Sequence, residues 1–256
     1  FDLDEDAGVS YGRTAGLLGR QLVFDSQQIG IEDSTGLGFS SSELAGRFIA
    51  GNDFNYVRTH AEAIAATGRF SIVSASAQAL ETGDMHLDAY QVLDLLLGLE
   101  RNDGHSLVSY KTFRPAMQSC LADYVSRGGR LLVSGAYVGS DMVANDEKNF
   151  LASVLKIRFD GVNRDASGDI RGLGTTFDFY RLLNEQHYAA THSDVLMPAC
   201  EQAFPAMVYA NETSAAVAYQ GSDYRAFTMG FPFECIIGKE KQMSIMKGII
   251  NFLTNN

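Results

Sequence analysis

The chain has 256 residues, of which 46% are hydrophobic and 20% are charged, with 25 glycines and only 4 prolines. This composition is typical of a globular protein and excludes a disordered or collagen-like chain. Because 31 acidic residues outnumber 20 basic ones, the formal net charge is −11, and we expect neither a nucleic-acid partner nor attraction to an anionic bilayer. The longest apolar runs fall far short of the roughly 20 residues that a membrane helix needs, so we also expect no membrane insertion.

The first 52 residues are rich in Gly, Ser and Asp and show no sustained helical period. They predict a loop-rich lead-in with one short strand or helix. The chain starts at Phe1 without an initiator Met or a signal-peptide pattern, which favours a piece trimmed from a longer product.

A helix is predicted next, because Val57, Ala61 and Ile64 fall at helical spacing and Gly68 stands where a helix would end in a left-handed residue. Residues 70–74 then predict a short buried strand and residues 90–98 a second one, with a helical turn between them.

The clearest unit is a helix closed by Gly128 and Gly129, with Thr112 as its expected N-cap and Pro115 in its first turn. Its apolar stripe consists of Phe113, Met117, Leu121, Tyr124 and Val125. Residues 130–134 follow as a short apolar run, which is typical of a strand covered on both faces. Strand, helix and strand of these lengths predict a parallel sheet with right-handed crossovers.

Further elements are predicted downstream: a helix at residues 146–156 and strands at 207–209, 215–219 and 226–231. The chain ends with a helical apolar face formed by Ile236, Met243, Met246, Ile250 and Leu253. We therefore expect one domain over residues 1–256, with an added antiparallel segment at about 157–232.

Three cysteines, Cys120, Cys200 and Cys235, are widely spaced and odd in number, which excludes a CxxC metal knuckle and a complete disulfide framework. Buried free thiols are favoured over one disulfide with one free thiol.

Residues 124–141 carry a resemblance to a known family, with further matching stretches at residues 94–98, 110–113 and 230–234. The sequence resembles the class I glutamine amidotransferase-like domain of secreted Bacteroides-type proteins named as xanthan lyases. The resemblance extends over most of the chain from about residue 8. It implies a flavodoxin-like fold, that is, a three-layer α/β sandwich with a mainly parallel sheet, in an exported protein. It also implies that a first strand lies before Phe1, so that the sheet would have an open edge or a gap.

The loop after the strand at residues 130–134 is the first candidate site. Amidotransferases carry a Gly-x-Cys-x-Gly nucleophile elbow there, whereas this chain has Gly135 and Gly139 around Tyr137. A phenol with a pKa near 10 is a poor acyl acceptor, so amidotransferase activity is not expected. Ser134 and Ser140 are alternative exposed hydroxyls.

The same loop also suggests a ligand-binding turn at the carboxyl edge of the sheet, where open α/β sheets bind their ligands. Its backbone N–H groups would face an anion or a sugar together with the side chains of Ser140 and Asp141. The alternative is an ordinary strand-to-helix connection in which Asp141 or Asn145 caps the next helix.

His192 and Asp194 are similar to the His-x-Glu pair that completes the amidotransferase triad, and a His oriented by a carboxylate can act as a general base. Glu234 either faces the same cleft or caps the final helix. As a catalytic hypothesis, residues 135–141, His192 and Glu234 should converge within about 3 to 8 Å, the range of direct or water-bridged contact. A plain surface turn at Asp194 is the alternative.

Other polar residues give weaker signals. Tyr180, Arg181, His187 and Tyr188 contain the base and the cation that a uronate lyase needs, but nothing in their spacing predicts convergence. The remaining histidines occur singly and the acidic start of the chain lacks the Gly and Glu of a calcium loop, so we expect no metal and no cofactor.

Together these expectations favour a binding or accessory domain of an exported, polysaccharide-related protein, whose partners would be a polysaccharide or other domains of the parent protein. A carbohydrate-active lyase or hydrolase with its cleft at residues 135–141 is the alternative, and a structural interaction domain is a third. The sequence leaves the oligomeric state open.

Overall fold

A computed structural model describes residues 10–12, 19–23, 48–50, 56–102, 111–165, 167–182 and 188–254. Its strands in chain order are β1 (Ser10–Gly12), β2 (Gly19–Val23), β3 (Phe48–Ala50), β4 (Val92–Gly98), β5 (Arg130–Gly135), β6 (Ile157–Val162), β7 (Asp169–Gly172), β8 (Thr175–Asp178), β9 (Asp194–Pro198), β10 (Ala203–Tyr209), β11 (Ser214–Gln220) and β12 (Arg225–Met229). Its α-helices are α1 (Tyr56–Ala65), α2 (Ala77–Glu81), α3 (Pro115–Ser126), α4 (Asn145–Phe150) and α5 (Lys239–Thr254). A π-helical turn at Leu151–Leu155 continues α4, and a 3-10 turn occupies Phe233–Cys235.

The largest sheet has seven strands in the order β4-β5-β12-β11-β10-β7-β8. Only β4 with β5 and β5 with β12 pair in parallel, while the other four pairings are antiparallel. The expected three-layer sandwich with a mainly parallel sheet is therefore wrong: the sheet is mixed. Short turns join β7 to β8, β10 to β11 and β11 to β12, and a connection of that length allows only antiparallel pairing.

Two separate small sheets accompany the large one. β6 pairs with β9, and β1, β2 and β3 form a three-stranded antiparallel sheet. These last three strands lie within the predicted lead-in, where one short element had been expected. The remaining residues of that lead-in, including the acidic group at Asp2, Asp4, Glu5 and Asp6, lie outside the described residues.

Side chains of the parallel strands alternate between two hydrophobic cores. In β5, Leu132 belongs to a core with α1 and α5, whereas Leu131 and Val133 belong to a core with α2, α3 and the π-helical turn. This alternation follows from the two-residue repeat of a strand, since successive side chains point to opposite faces. It explains why the three successive residues Leu131, Leu132 and Val133 are all apolar.

Helix α1 confirms the predicted helix, and Gly68 has the expected positive φ of 67°. Its buried face, however, is formed by Tyr56, His60 and Ala63, and Val57 is 45% exposed. Each residue of the buried face thus precedes the corresponding residue of the predicted apolar stripe by one position. The true face contains a histidine, which an apolar periodicity does not detect.

The helix α3 and the strands β4 and β5 confirm the central predicted unit, with Pro115 at the start of α3. Thr112 is not the N-cap. Arg114 occupies that position without a side-chain cap, and the Thr112 hydroxyl instead donates to the carbonyl of Glu100 at 2.8 Å. The final helix is also confirmed as α5, although Met243 is 37% exposed.

Residues 70–74 do not form the predicted strand. The segment has no regular secondary structure, and the side chains of Ile72 and Val73 are 39% and 60% exposed. A strand needs a neighbour to satisfy its backbone groups, and none of the described strands pairs with this segment.

All three cysteines are free, which agrees with the favoured prediction, and only Cys235 is fully buried. Within the described ranges, no helix combines the length and the apolar character that crossing a bilayer requires.

Candidate functional site at the carboxyl ends of β4 and β5

The loop predicted as a binding site follows β5 directly. Residues 136–141 form successive turns between Gly135, the last residue of β5, and α4. A Cβ on Gly135 would lie 2.8 Å from the Cβ of Leu97, and one on Gly139 would lie 2.9 Å from the Cβ of Phe159. Both glycines are therefore explained by close packing against neighbouring strands.

An aromatic stack marks the outer side of this loop. The ring of Tyr137 stacks on His192, with centroids 4.2 Å apart and 22° between the planes. The guanidinium of Arg101, three residues beyond β4, lies 4.8 Å from the centroid of the Tyr137 ring. We call Arg101, Tyr137, His192, Asp194 and Ser140 the His192 cluster.

His192 is held by a buried carboxylate. Its Nε2 lies 2.9 Å from Oδ1 of Asp194, whose side chain is fully buried, while the His192 side chain is 22% exposed. Because a carboxylate accepts, Nε2 carries the proton and Nδ1 keeps its lone pair. None of the described residues hydrogen bonds to Nδ1. The arrangement thus presents a basic nitrogen on an oriented ring.

Ser140 contacts the same nitrogen, at 3.2 Å from Nε2. A Ser-His-Asp triad needs the serine and the carboxylate on opposite ring nitrogens, so that the imidazole can take the hydroxyl proton. Here Asp194 and Ser140 both contact Nε2, so Ser140 can only accept part of the hydrogen bond that the Nε2 proton makes to Asp194. The geometry therefore provides an oriented histidine but no activated serine.

Asp194 also fixes the loop. Its Oδ2 accepts hydrogen bonds from the backbone N–H groups of Gly139 at 2.7 Å and of Ser140 at 2.9 Å. These N–H groups were expected to face an anion or a sugar, but they are already occupied within the protein. Asp194 consequently couples the start of β9 to the end of β5.

Asp141 and Ser134 are likewise directed into the protein. The Asp141 carboxylate accepts from the backbone N–H groups of Asn102 at 3.2 Å and Thr112 at 2.9 Å, so it ties three loops together. The Asp141 side chain does not cap α4, whose first turn is closed by Glu147. Ser134 is fully buried in β5, and its hydroxyl has no hydrogen-bond partner among the described residues.

Glu234 belongs to a different group of residues. Its Oε2 lies 3.2 Å from Nε2 of His60, and its Oε1 accepts a hydrogen bond from the Tyr188 hydroxyl at 2.6 Å. Nδ1 of His60 lies 2.7 Å from Oδ2 of Asp94 in β4. We call His60, Asp94, Tyr188 and Glu234 the His60 cluster. The predicted convergence thus holds for Tyr137, Ser140 and His192, while Glu234 joins the other histidine.

The two carboxylates give His60 a permanent charge. Burial opposes that charge, but Asp94 and Glu234 outweigh it and raise the pKa of His60 to about 10. Burial also works against ionised Glu234, yet the hydrogen bond from His60 leaves the pKa of this carboxyl below its ordinary value. Burial raises the pKa of Tyr188 far above its ordinary value, so the phenol remains a donor.

Electrostatics differ at the His192 cluster. Burial raises the pKa of Tyr137 above its ordinary value, which keeps its hydroxyl protonated. None of the described residues forms a hydrogen bond or ion pair with the Arg101 guanidinium. The cluster therefore offers a cation, a phenol and a basic nitrogen next to one another.

Sequence reasoning missed His60, Asp94 and Arg101 as site residues. Asp94 gives a usable signal, since a charged residue interrupting a buried apolar strand requires a partner. His60 was noted only as an isolated histidine, because its partners are 34 and 174 residues away in the chain.

Arg181 and Tyr188, two of the weaker candidates, form hydrogen bonds with different groups of residues. Arg181 donates to the carbonyl of Thr191 at 3.3 Å, Tyr188 belongs to the His60 cluster, and His187 lies outside the described residues. His86 is exposed.

Comparison with known proteins gives limited information. No protein-family model matches the chain, and no curated protein matches it. Among solved structures, the chain is similar to a cold-adapted β-galactosidase from Rahnella sp. R3 (14% identity, TM-score 0.48) and a β-galactosidase from Halorubrum lacusprofundi (16%, TM-score 0.46). The alignments cover 77% and 78% of this chain but only 26% and 27% of those enzymes. The N-terminal domain of mmIFT52 aligns over 77% of this chain and 90% of its own, at 14% identity and a TM-score of 0.48.

These similarities are too weak to support an argument about fold or function. No family model supports the amidotransferase-like resemblance. Together with the mixed sheet, this makes the identification as a flavodoxin-like amidotransferase domain wrong.

Proposed function

We propose that the chain is a carbohydrate-binding domain for an acidic sugar, and that the His192 cluster contacts the ligand. The observation that carries the proposal is the stack of Arg101, Tyr137 and His192 at the carboxyl ends of β4 and β5. Arg101 supplies a planar cation that forms no ion pair with the described residues, and such a cation suits a uronate carboxylate. Tyr137 and His192 supply a hydroxyl and an acceptor nitrogen for sugar hydroxyls.

A binding role is favoured over hydrolysis for two reasons. Ser140 is not activated, because it shares Nε2 of His192 with Asp194. The central loop residue is Tyr137, whose phenol is held in its neutral form by burial. The β-galactosidase names of two similar structures agree with a carbohydrate theme but add no weight to it.

Calorimetric titration with tetragalacturonic acid and with neutral maltotetraose tests this proposal. We expect binding of the acidic oligosaccharide only, and a loss of at least tenfold in affinity for Arg101→Gln, since a charge-assisted contact contributes about 1.5–3 kcal/mol. Arg171→Gln on distant β7 is the matched control and should bind normally. Equal binding of both sugars, or no effect of R101Q, would contradict the proposal.

A second candidate function is a uronate lyase, which one specific observation favours. Lyase chemistry needs a base to remove the proton alpha to the uronate carboxylate and a cation to neutralise that carboxylate. Nδ1 of His192 and the guanidinium of Arg101 are such a base and cation, since the His192 ring and the guanidinium both contact the ring of Tyr137. Incubation with xanthan and polygalacturonate distinguishes the two functions. Unsaturated uronates that are released by the wild type and abolished in His192→Gln would replace the binding proposal with the lyase.

A further inference from the structure

A groove of about 660 Å³ runs along the outer edge of β4. Among the described strands, β4 pairs only with β5 and so forms one edge of the seven-stranded sheet. Every residue from 89 to 98 lines one wall of the groove, and every residue from 70 to 77 lines the other. The groove thus lies between an edge that no described strand pairs with and a segment whose residues 70–76 have no regular secondary structure.

Both walls present backbone groups without partners. Arg130 donates its N–H to the carbonyl of Gln91, which fixes the register in which alternate residues of β4 bond to β5. The intervening residues, Val92, Asp94 and Leu96, therefore direct their N–H and C=O groups to the free edge. No described residue hydrogen bonds to these backbone groups or to those of residues 70–75.

The opposite wall has the sequence of a strand. Residues 70–74 contain Phe70 and the β-branched Ile72 and Val73, which are strong strand formers. Ile72 and Val73 nevertheless remain exposed. A strand placed in the groove would hydrogen bond to both walls and convert this segment into a sheet strand.

The two faces of the groove differ in character. One face carries Leu80, Met85, Leu87, Leu95, Leu97 and Met117, and the ion pair of Arg114 with Glu81 also lines the groove. The other face contains His60, Asp94 and Glu234 together with apolar residues such as Ile64 and Leu96. Oδ1 of Asp94 is buried and has no hydrogen-bond partner among the described residues. Side chains of an inserted strand alternate between these two faces.

Charge at the polar face is not balanced. Asp94 and Glu234 carry two negative charges against one on His60. The other cations of the lining are engaged elsewhere, since Arg114 pairs with Glu81 and Glu100, and Lys111 pairs with Glu147. An added cation opposite Asp94 would complete the ion pairing.

We propose that this groove binds an extended segment of a partner polypeptide by strand addition, with alternate apolar side chains on the leucine and methionine face and a lysine or arginine opposite Asp94. Backbone hydrogen bonds to β4 and to residues 70–75 would provide affinity, and the Asp94 carboxylate would select the basic residue. The proposal uses none of the residues of the His192 cluster and does not depend on the proposed sugar site.

Fluorescence anisotropy with the capped peptide Val-Thr-Ile-Lys-Ile-Thr-Val tests the proposal on the full chain. We expect saturable binding that weakens about tenfold when lysine is replaced by norleucine. In Asp94→Asn the two peptides should bind equally, whereas Asp123→Asn, an exposed control on α3, should retain the preference for lysine. The comparison of the lysine and norleucine peptides is made on the wild-type protein, so this first result does not depend on the stability of D94N.

Backbone recognition is tested separately. A peptide N-methylated at alternate residues should lose binding, and hydrogen exchange of Val92, Asp94 and Leu96 should slow when the unmethylated peptide binds. The proposal is overturned if the peptide does not bind, as when another part of this chain already fills the groove. It is equally overturned if the methylated peptide binds as well, or if those amides exchange at an unchanged rate.

Discussion

The two histidine clusters contain the same residue types, but one connects buried elements and the other leaves a ring nitrogen accessible. In the His60 cluster both ring nitrogens contact carboxylates, the side chain is 2% exposed, and the imidazole is a permanent cation. In the His192 cluster one nitrogen contacts a carboxylate, and the side chain is 22% exposed. A histidine with both nitrogens occupied holds elements together, whereas one with a free nitrogen can meet a ligand.

The position of each cluster explains this difference. His60 is a residue of α1 and pairs with Asp94 of β4 and Glu234 of the 3-10 turn, so its ion pairs join three elements inside one core. His192 lies at the ends of β5 and β9, where loops meet solvent. Inside a core each charge needs an opposite charge nearby, because an unpaired buried charge costs several kcal/mol, and His60 serves both carboxylates. At a strand end a ring nitrogen can instead be left to solvent.

Removal of His60 should have the largest effect on stability. His60→Ala leaves the carboxylates of Asp94 and Glu234 buried without their shared cation, so we expect a loss of about 3–5 kcal/mol in the free energy of unfolding. Urea denaturation measures it. His192→Ala should cost only about 1 kcal/mol for one hydrogen bond and a stacking contact. Equal losses for the two variants would remove the distinction between the clusters.

Asp194→Ala should come next, because it leaves the backbone N–H groups of Gly139 and Ser140 without an acceptor. We expect a loss of about 2–3 kcal/mol in the free energy of unfolding, since each unsatisfied buried donor costs about 1–3 kcal/mol. Asp160→Ala, at an exposed position in β6, is the control and should be nearly neutral. A neutral D194A would mean that Asp194 does not fix the loop.

The contribution of His60 to stability should depend on pH. Its pKa is 6.5 in the unfolded chain and about 10 in the folded one, so the folded state binds the extra proton. The contribution is complete below pH 6.5 and is lost as the pH rises towards 10, by up to about 1.4 kcal/mol per pH unit. The difference between wild type and His60→Gln isolates this term from other titrations. A difference that does not shrink over this range would show that His60 is neutral.

Ser134→Ala should have the smallest effect, despite the position of this serine in the predicted binding loop. Its hydroxyl is buried without a partner, so removing it should leave the free energy of unfolding unchanged or raise it by up to about 1 kcal/mol. Ser193→Ala is the matched control, since Ser193 bonds to the Asn163 amide and should lose about 1 kcal/mol. A clear loss in the free energy of unfolding of S134A, or a loss of its sugar binding, would show that the Ser134 hydroxyl has a partner or contacts the ligand.

The sequence predicted local structure better than pairing. The helical period of α3 and the apolar run of β5 are short-range patterns that burial enforces, and both were confirmed. Antiparallel pairing was expected for the segment at about residues 157–232, but the joining of its strands to β5 in one mixed sheet was not, because the assumed family fold predicted a mainly parallel sheet. Residues 70–74 have strand-forming side chains but no described partner strand, so propensity alone predicted an element that is absent.

The candidate site was predictable only where chain order brings residues together. Tyr137 follows β5 and His192 precedes β9, and residues at strand ends do meet. Glu234 was assigned to the wrong histidine, because its contact with His60 spans 174 residues and leaves no periodic signal. The role of Arg101 arises from its contact with the Tyr137 ring, which no motif encodes.

The most direct test of the account is an NMR titration of the histidine ring resonances, recorded with and without tetragalacturonic acid. We predict that the His60 resonances stay constant between pH 5 and 8 and do not respond to the sugar, while the His192 resonances shift on addition of the sugar in wild type but not in R101Q. A His60 signal that titrates near 6.5, or a sugar that leaves His192 unchanged, would contradict the assignment of a structural histidine to one cluster and a ligand-contacting histidine to the other.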